Sequence, residues 1–186
     1  MPLPREQIYT EDDYWNLPEN IRAELIDGQI YYMSAPNRIH QELIGSLYAL
    51  IYNQIRSKRG SCRVYPAPFA VKLRKDRENT VEPDISVIYD RSKLTGTGCI
   101  GAPDWIIEIV SPSNPGHDYV RKLNLYADAG VREYWIVDPA EESVLVYLFA
   151  RNNFQAYSFQ DTIPVGIYDD FTIDFAELIA DIPEDD

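Results

Sequence analysis

The sequence predicts an α/β domain with a mixed central sheet. Three observations predict it. Ile39, Leu43, Leu47, Leu50, Ile51 and Ile55 recur at three- to four-residue spacing between Asn37 and Arg59, which gives one long helix an apolar face. Runs rich in β-branched residues at 81–88, 105–110 and 132–138 read as strands. A second helical pattern, from about Asp118 to Ala129, separates the last two runs.

The remaining elements follow in chain order. Thr10 is a candidate N-cap, with Glu11, Asp12 and Asp13 in the first turn of a short helix that Pro18 ends. Ala23 to Met33 reads as two short strands around Asp27-Gly28, a dipeptide that supplies the positive φ angles of a type I′ hairpin. Asn37 can cap the long helix and Gly60 can stop it. Arg63 to Leu73 reads as a strand, with Pro66 and Pro68 marking an edge or bulge. Glu78-Asn79 is a turn into the strand that carries Asp84, and Arg91 to Gly101, with three glycines, reads as a mobile loop. Pro112 and Pro115 break the chain after the 105–110 strand, and Gly130 closes the 118–129 helix. Arg132 to Asp138 is a strand stopped by Pro139. Ser143 to Phe149 and Phe154 to Phe159 form a last hairpin, and Phe175 to Ala180 a terminal helix.

The chain has 186 residues, enough for one domain with a real core. A single domain over 1–186, with its core between about residues 10 and 180, is expected. No apolar run approaches the roughly 18 residues that span a bilayer. Met1 to Thr10 has no apolar h-region, so no membrane association and a cytoplasmic location are expected. Cys62 and Cys99 follow no metal or redox spacing and read as free thiols. The net charge of −13 argues against a nucleic-acid partner. Its distribution qualifies that: Arg56 to Arg77 holds eight basic residues and one acid, leaving −20 for the remainder. That segment is either a phosphate-binding face or a solvated helix end and hairpin.

Two carboxylates stand out. Asp84 and Glu108 each lie inside an apolar, β-branched run, where an acid needs compensation. Their strands are consecutive apart from the glycine-rich loop, so neighbouring positions in one sheet are expected. Strands about 4.8 Å apart let two carboxylates share one hard cation. Mg²⁺ or Mn²⁺ suits such an all-oxygen site. The competing reading puts either acid in solvent. Lys122 shares a stripe with Tyr119, Leu123 and Tyr126, so it either snorkels to water or points at something anionic. Asp118, one turn earlier, is an alternative partner. Glu24, before the Asp-Gly hairpin, and His40, near the start of the long helix, are weaker candidates. With only His40 and His117, a zinc site is not expected.

These residues carry a resemblance. Pro83-Asp84 followed by Glu108-Ile109-Val110 resembles the PD-(D/E)XK nuclease superfamily. Glu24-Leu25-Ile26-Asp27-Gly28, Glu82-Pro83-Asp84, the run Pro103 to Ser113, Asp118 with Lys122, and Tyr126 to Pro139 look like the Uma-two family of restriction endonuclease-like proteins. The likeness covers about residues 10 to 180, and its specific part is Pro103 to Pro139. It implies a restriction-endonuclease-like mixed central sheet flanked by helices. It also implies Asp84 and Glu108 as metal ligands, with the Ile109 carbonyl as a third, Mg²⁺ as cofactor with Mn²⁺ able to substitute, and DNA as substrate. Glu24 matches an acidic position of the family. One departure matters: Val110 stands two residues after Glu108, where the superfamily places lysine. In this family the lysine has moved to the following helix, which makes it Lys122, the residue that the stripe had already singled out.

The expected function is a Mg²⁺-dependent endonuclease that hydrolyses DNA phosphodiester bonds. The alternatives are a catalytically silent nucleic-acid-binding or regulatory module of the same fold, and a homo-oligomeric scaffold. Cutting both strands would call for a homodimer, because one site cuts one strand.

Overall fold

The apolar runs become the middle strands of a six-stranded mixed sheet. The structure, a computed structural model, describes residues 7–74, 79–111, 117–180 and 182–183, without the side chains of 117 and 118. The Pro112 and Pro115 break, Glu78 of the predicted turn, basic residues Lys75 and Arg77, and the Asp118 side chain lie outside the described residues.

In chain order the elements are α1 (Glu11–Trp15), β1 (Ala23–Ile26), β2 (Gln29–Tyr32), α2 (Arg38–Ser57), β3 (Arg63–Pro66), β4 (Ala70–Lys72), β5 (Thr80–Val81), β6 (Ile85–Ile88), β7 (Gly98–Ile100) and β8 (Trp105–Ile109). A π-helical segment, His117–Lys122, leads into α3 (Leu123–Ala129). Then come β9 (Glu133–Asp138), β10 (Ser143–Leu148), β11 (Asn153–Ser158), β12 (Thr162–Pro164), β13 (Thr172–Asp174) and α4 (Phe175–Ala180).

The large sheet runs β11-β10-β9-β8-β6-β3. β8 and β9 are parallel, whereas β6–β8 and β9–β10 are antiparallel. A second sheet runs β2-β1-β5-β4-β7. This is the α/β architecture that the sequence predicted, a mixed central sheet flanked by helices.

The middle strands β6, β8 and β9 are buried on both faces, which explains their continuous apolar runs. Alternate residues face opposite ways. Trp105, Ile107 and Ile109 pack with Leu43, Leu47 and Ile51 of α2 and with Phe175 of α4. Ile106 and Val110 face the other way, toward Val71 and Val81 of the second sheet and Tyr126 of α3. Glu108 lies between Ile106 and Val110 in this alternation, so its carboxylate is aimed into the layer between the sheets. The capping of α1 is reciprocal, as the sequence predicts: Asp13 N donates to Thr10 Oγ1 at 3.3 Å and Thr10 N to Asp13 Oδ2 at 2.7 Å. Asp27 and Gly28 both have positive φ, 50° and 76°, at the β1–β2 hairpin.

Two predicted elements differ. The strand expected over Arg63–Leu73 is two strands, β3 in the large sheet and β4 in the second, divided at the Pro66-Ala67-Pro68 stretch. Proline removes a ladder donor, and here the chain changes sheet. The loop expected over Arg91–Gly101 contains β7, which pairs in parallel with β4. Gly98 permits this pairing: a Cβ there would stand 2.1 Å from the Ala70 carbonyl oxygen. Gly98→Ala is therefore expected to lower unfolding stability by about 3 kcal/mol, as overpacking against rigid backbone does. Urea denaturation measures this, and an unchanged midpoint would contradict the close approach.

Candidate active site

β6 and β8 pair with Ile85 opposite Ile107, so one step further along the ladder Asp84 stands opposite Glu108. The two acids are tied together through main-chain amides. Ile109 N donates to Asp84 Oδ2 at 2.8 Å, and Asp84 N donates to Glu108 Oε2 at 3.3 Å. Each carboxylate thus holds the other's strand.

Lys122 reaches the pair from the helical segment ahead of α3. Its Nζ lies 2.9 Å from Glu108 Oε1 and 3.0 Å from Glu24 Oε1. Glu24 comes from β1 of the second sheet, and its Oε1 also accepts the Glu82 N–H at 3.0 Å. All four side chains are buried: Glu24 is 1% exposed, Glu108 3%, Lys122 4% and Asp84 7%. Lys122 does not snorkel to water; its ammonium stays in the interior, paired with two buried carboxylates.

Two further groups converge here. The Tyr126 hydroxyl donates to Glu108 Oε1 at 2.5 Å. Burial first, and then the Glu108 and Glu24 charges, push this phenol well above its ordinary range, so it stays a donor. His40 Nε2 lies 3.1 Å from Asp84 Oδ2. Its Nδ1 is buried with no hydrogen-bond partner among the described residues. Asn37 holds His40 in place by accepting its main-chain N–H at 2.9 Å, as the N-cap of α2.

A cavity of about 450 Å³ is lined by Glu24, His40, Asp84, Glu108, Ile109 and Lys122, among others. All five site residues expected from the sequence therefore border one space, together with His40. From the sequence, Tyr126 continues the Lys122 face and is able to line the site. Its i+4 spacing from Lys122 was the available signal, and the structure shows it bonded to the same carboxylate oxygen.

The described residues of the basic segment do not line the cavity. Arg56 lies 16 residues along α2 from His40, roughly 24 Å at the helical rise. Lys58 pairs with Asp170, and Lys72 with Glu11. Arg63 donates to the Cys62 carbonyl. These residues form no common face around the cavity.

Among the described residues, no group of three or more His, Cys, Asp or Glu side chains is placed to hold a metal ion. The cavity is bordered by the carboxylates of Asp84, Glu108 and Glu24, by His40 and by Ile109, and the neighbouring pair Asp84 and Glu108 offers hard oxygen donors. That set fits Mg²⁺ or Mn²⁺, which bind through one or two carboxylates and keep several waters.

No helix among the described residues is long and apolar enough to cross a membrane. Residues 11–174 match the model of the Uma2 family, whose description reads "Putative restriction endonuclease". An uncharacterized protein of Synechocystis sp. is 27% identical over 140 residues, which are 75% of this chain and 71% of that protein. A crystal structure from Anabaena variabilis, described as a putative nuclease belonging to DUF820, superposes with a TM-score of 0.76 at 23% identity. The superposition covers 92% of this chain and 97% of that one, and it shows a shared fold. Sequence and architecture agree: the chain belongs to the Uma2 family and is a nuclease-like module on a restriction-endonuclease-like fold.

Proposed function

We propose that this protein is a Mg²⁺-dependent endonuclease that hydrolyses phosphodiester bonds in DNA. The observation that carries the reading is the convergence of Asp84, Glu108 and Lys122 on one cavity. Asp84 and Glu108 would hold the metal through their carboxylates, with the Ile109 carbonyl beside them. Such an ion, when bound, polarises a phosphoryl oxygen and makes water a better nucleophile.

In hydrolysis a water oxygen bonds to phosphorus, one P–O ester bond breaks, the water gives up a proton and the departing oxygen takes one. Lys122 Nζ carries the positive charge that offsets the extra negative charge on the phosphoryl oxygens as the new bond forms. Glu24 and Tyr126 are positioning residues. Glu24 holds the ammonium together with Glu108, and Tyr126 fixes the Glu108 carboxylate. His40, on Asp84 Oδ2, orients that carboxylate from the α2 side. Burial of the whole set strengthens every charge interaction in it.

Cleavage of a supercoiled plasmid and of a circular single-stranded DNA in Mg²⁺ or Mn²⁺ tests the reading. Wild type is expected to cut at least one of the two. Asp84→Ala and Lys122→Ala are each expected to lose on the order of 100-fold or more, the scale seen when a charge-stabilising group is removed. Equal activity in all three proteins, or none in any, would overturn it.

One observation favours a second reading, a silent nucleic-acid-binding module. Lys122 is already held by both Glu24 and Glu108, an arrangement that is stable without turnover. Electrophoretic retardation of DNA without cleavage would select it.

A further inference from the structure

Resting on the phosphodiesterase reading, we infer that the strand entering this cavity is unpaired DNA, held by its bases on an aromatic rim formed by β2. The first argument is charge. A duplex is held largely through its phosphates and needs Lys and Arg around the site, whereas an unpaired strand can add base stacking to fewer phosphate contacts. The cavity lining instead carries three carboxylates, Glu24, Asp84 and Glu108, against two cations, Arg22 and Lys122. Lys122 is taken by Glu24 and Glu108, and Arg22 by Glu82 at 2.9 Å. Of the basic segment's described residues, Lys58 and Lys72 are in ion pairs elsewhere.

The second argument is depth. Glu108 and Lys122 are almost completely buried, so a phosphate must descend into the cavity to meet them. Phosphates of a stiff duplex stay on its outer surface. An unpaired strand bends at each nucleotide and can be drawn in.

The third argument is the rim itself. β2 is the outer strand of the second sheet. Tyr31 and Tyr32 both line the cavity, and Tyr32 is 69% exposed. The Arg121 guanidinium sits 4.3 Å over the Tyr31 ring. A ring standing in water next to a buried reaction site, with a stacked Arg alongside, is the combination that binds single strands: aromatic faces for bases and a cation for the backbone. In a duplex those base faces are hidden by stacking.

The test measures fluorescence anisotropy of the full chain with a labelled single-stranded 15-mer and the same sequence as duplex, both with Ca²⁺ in place of Mg²⁺ to hold the substrate uncut. The single strand is expected to bind at least about tenfold more tightly. Tyr32→Ala is expected to weaken it about tenfold, the scale of one lost base stack, whereas Tyr32→Phe keeps it because the ring is what stacks. Exposure of Tyr32 makes a folding defect in these variants unexpected, and circular dichroism checks it. Duplex binding as tight as single-strand binding, or no effect of Tyr32→Ala, overturns the inference. Absence of binding to either probe overturns it as well. In each case cleavage of a circular single-stranded DNA and of a plasmid, both in Mg²⁺ or Mn²⁺, decides separately whether the phosphodiesterase reading survives.

Discussion

Lys122→Met is expected to destabilise the protein by about 3–5 kcal/mol, beyond any loss of cleavage. The physical reason is that Lys122 is the cation between two buried carboxylates, Glu24 and Glu108. Methionine keeps the length and volume of the side chain but removes the charge. Breaking a buried pair in this way leaves an uncompensated charge in the interior, which is far costlier than never having had the pair. For a chain of 186 residues the melting temperature should fall by on the order of 10 °C. Added Mn²⁺ should recover part of the loss, since a divalent ion at Asp84 and Glu108 replaces the missing positive charge. The same addition should shift wild type less. A melting temperature within about 2 °C of wild type, less than 1 kcal/mol on this scale, would mean that Lys122 does not neutralise the two acids.

Glu133→Ala is expected to cost about 3–5 kcal/mol through a different route. Glu133 is fully buried at the start of β9, away from the cavity lining. Its Oε1 accepts from Trp135 Nε1 at 2.6 Å and from Gly166 N at 3.0 Å, and its Oε2 accepts from Ile167 N at 2.8 Å. It therefore pins the chain after β12 to the central sheet. Alanine orphans one buried donor, Trp135 Nε1, and two part-buried ones, the Gly166 and Ile167 N–H groups, and a buried donor left unpaired costs about 1–3 kcal/mol. Guanidinium denaturation measures the loss, and a cost below about 1 kcal/mol would show that water takes over all three bonds.

Glu133 also sets a pH dependence. Burial raises its pKa above the ordinary 4.5, against the opposing pull of its hydrogen bonds. The folded state therefore binds this proton more tightly than the unfolded state. The contribution is fully present below pH 4.5 and is lost as pH rises through the raised value. Glu133→Gln does not titrate, so its stability relative to wild type should improve between about pH 4 and pH 8. A constant difference would mean that the carboxyl titrates alike folded and unfolded.

Much of the fold was legible because its elements are locally consistent. α2 shows a clean 3.6-residue period, Asn37 caps it as predicted, and the Asp27-Gly28 turn has one geometry that fits. The division of 63–73 between two sheets was not legible. Both halves have strand character, and whether a proline marks a bulge or a change of sheet depends on what lies beside it. β7 was hidden for a related reason. Gly98 reads as a breaker, whereas its missing Cβ lets the chain lie against Ala70. Tertiary contact decides between those meanings.

In the candidate site, acids in apolar strands and a lysine in an apolar stripe are anomalies visible in a single sequence, since burial of charge is costly wherever it occurs. That made Asp84, Glu108 and Lys122 candidates, and the family resemblance added Glu24 and Ile109. Neither line could specify who bonds to whom. Lys122 between Glu24 and Glu108, His40 on Asp84, and Tyr126 on Glu108 are contacts between residues 14 to 98 positions apart. The basic segment shows the opposite case. Its charge cluster is real in sequence, but α2, β3 and β4 carry its members in different directions, and several are neutralised by acids from distant segments.

The sequence by itself determined the periodicities, the caps and turns, and the presence of charged groups that an apolar setting must compensate. Those properties depend on neighbours a few residues away. Only the tertiary structure decided that the compensation is mutual, that the cavity beside it is net acidic in its lining, and that its rim is aromatic. Each of these depends on two sheets and a helix meeting in space, and no local pattern encodes that meeting.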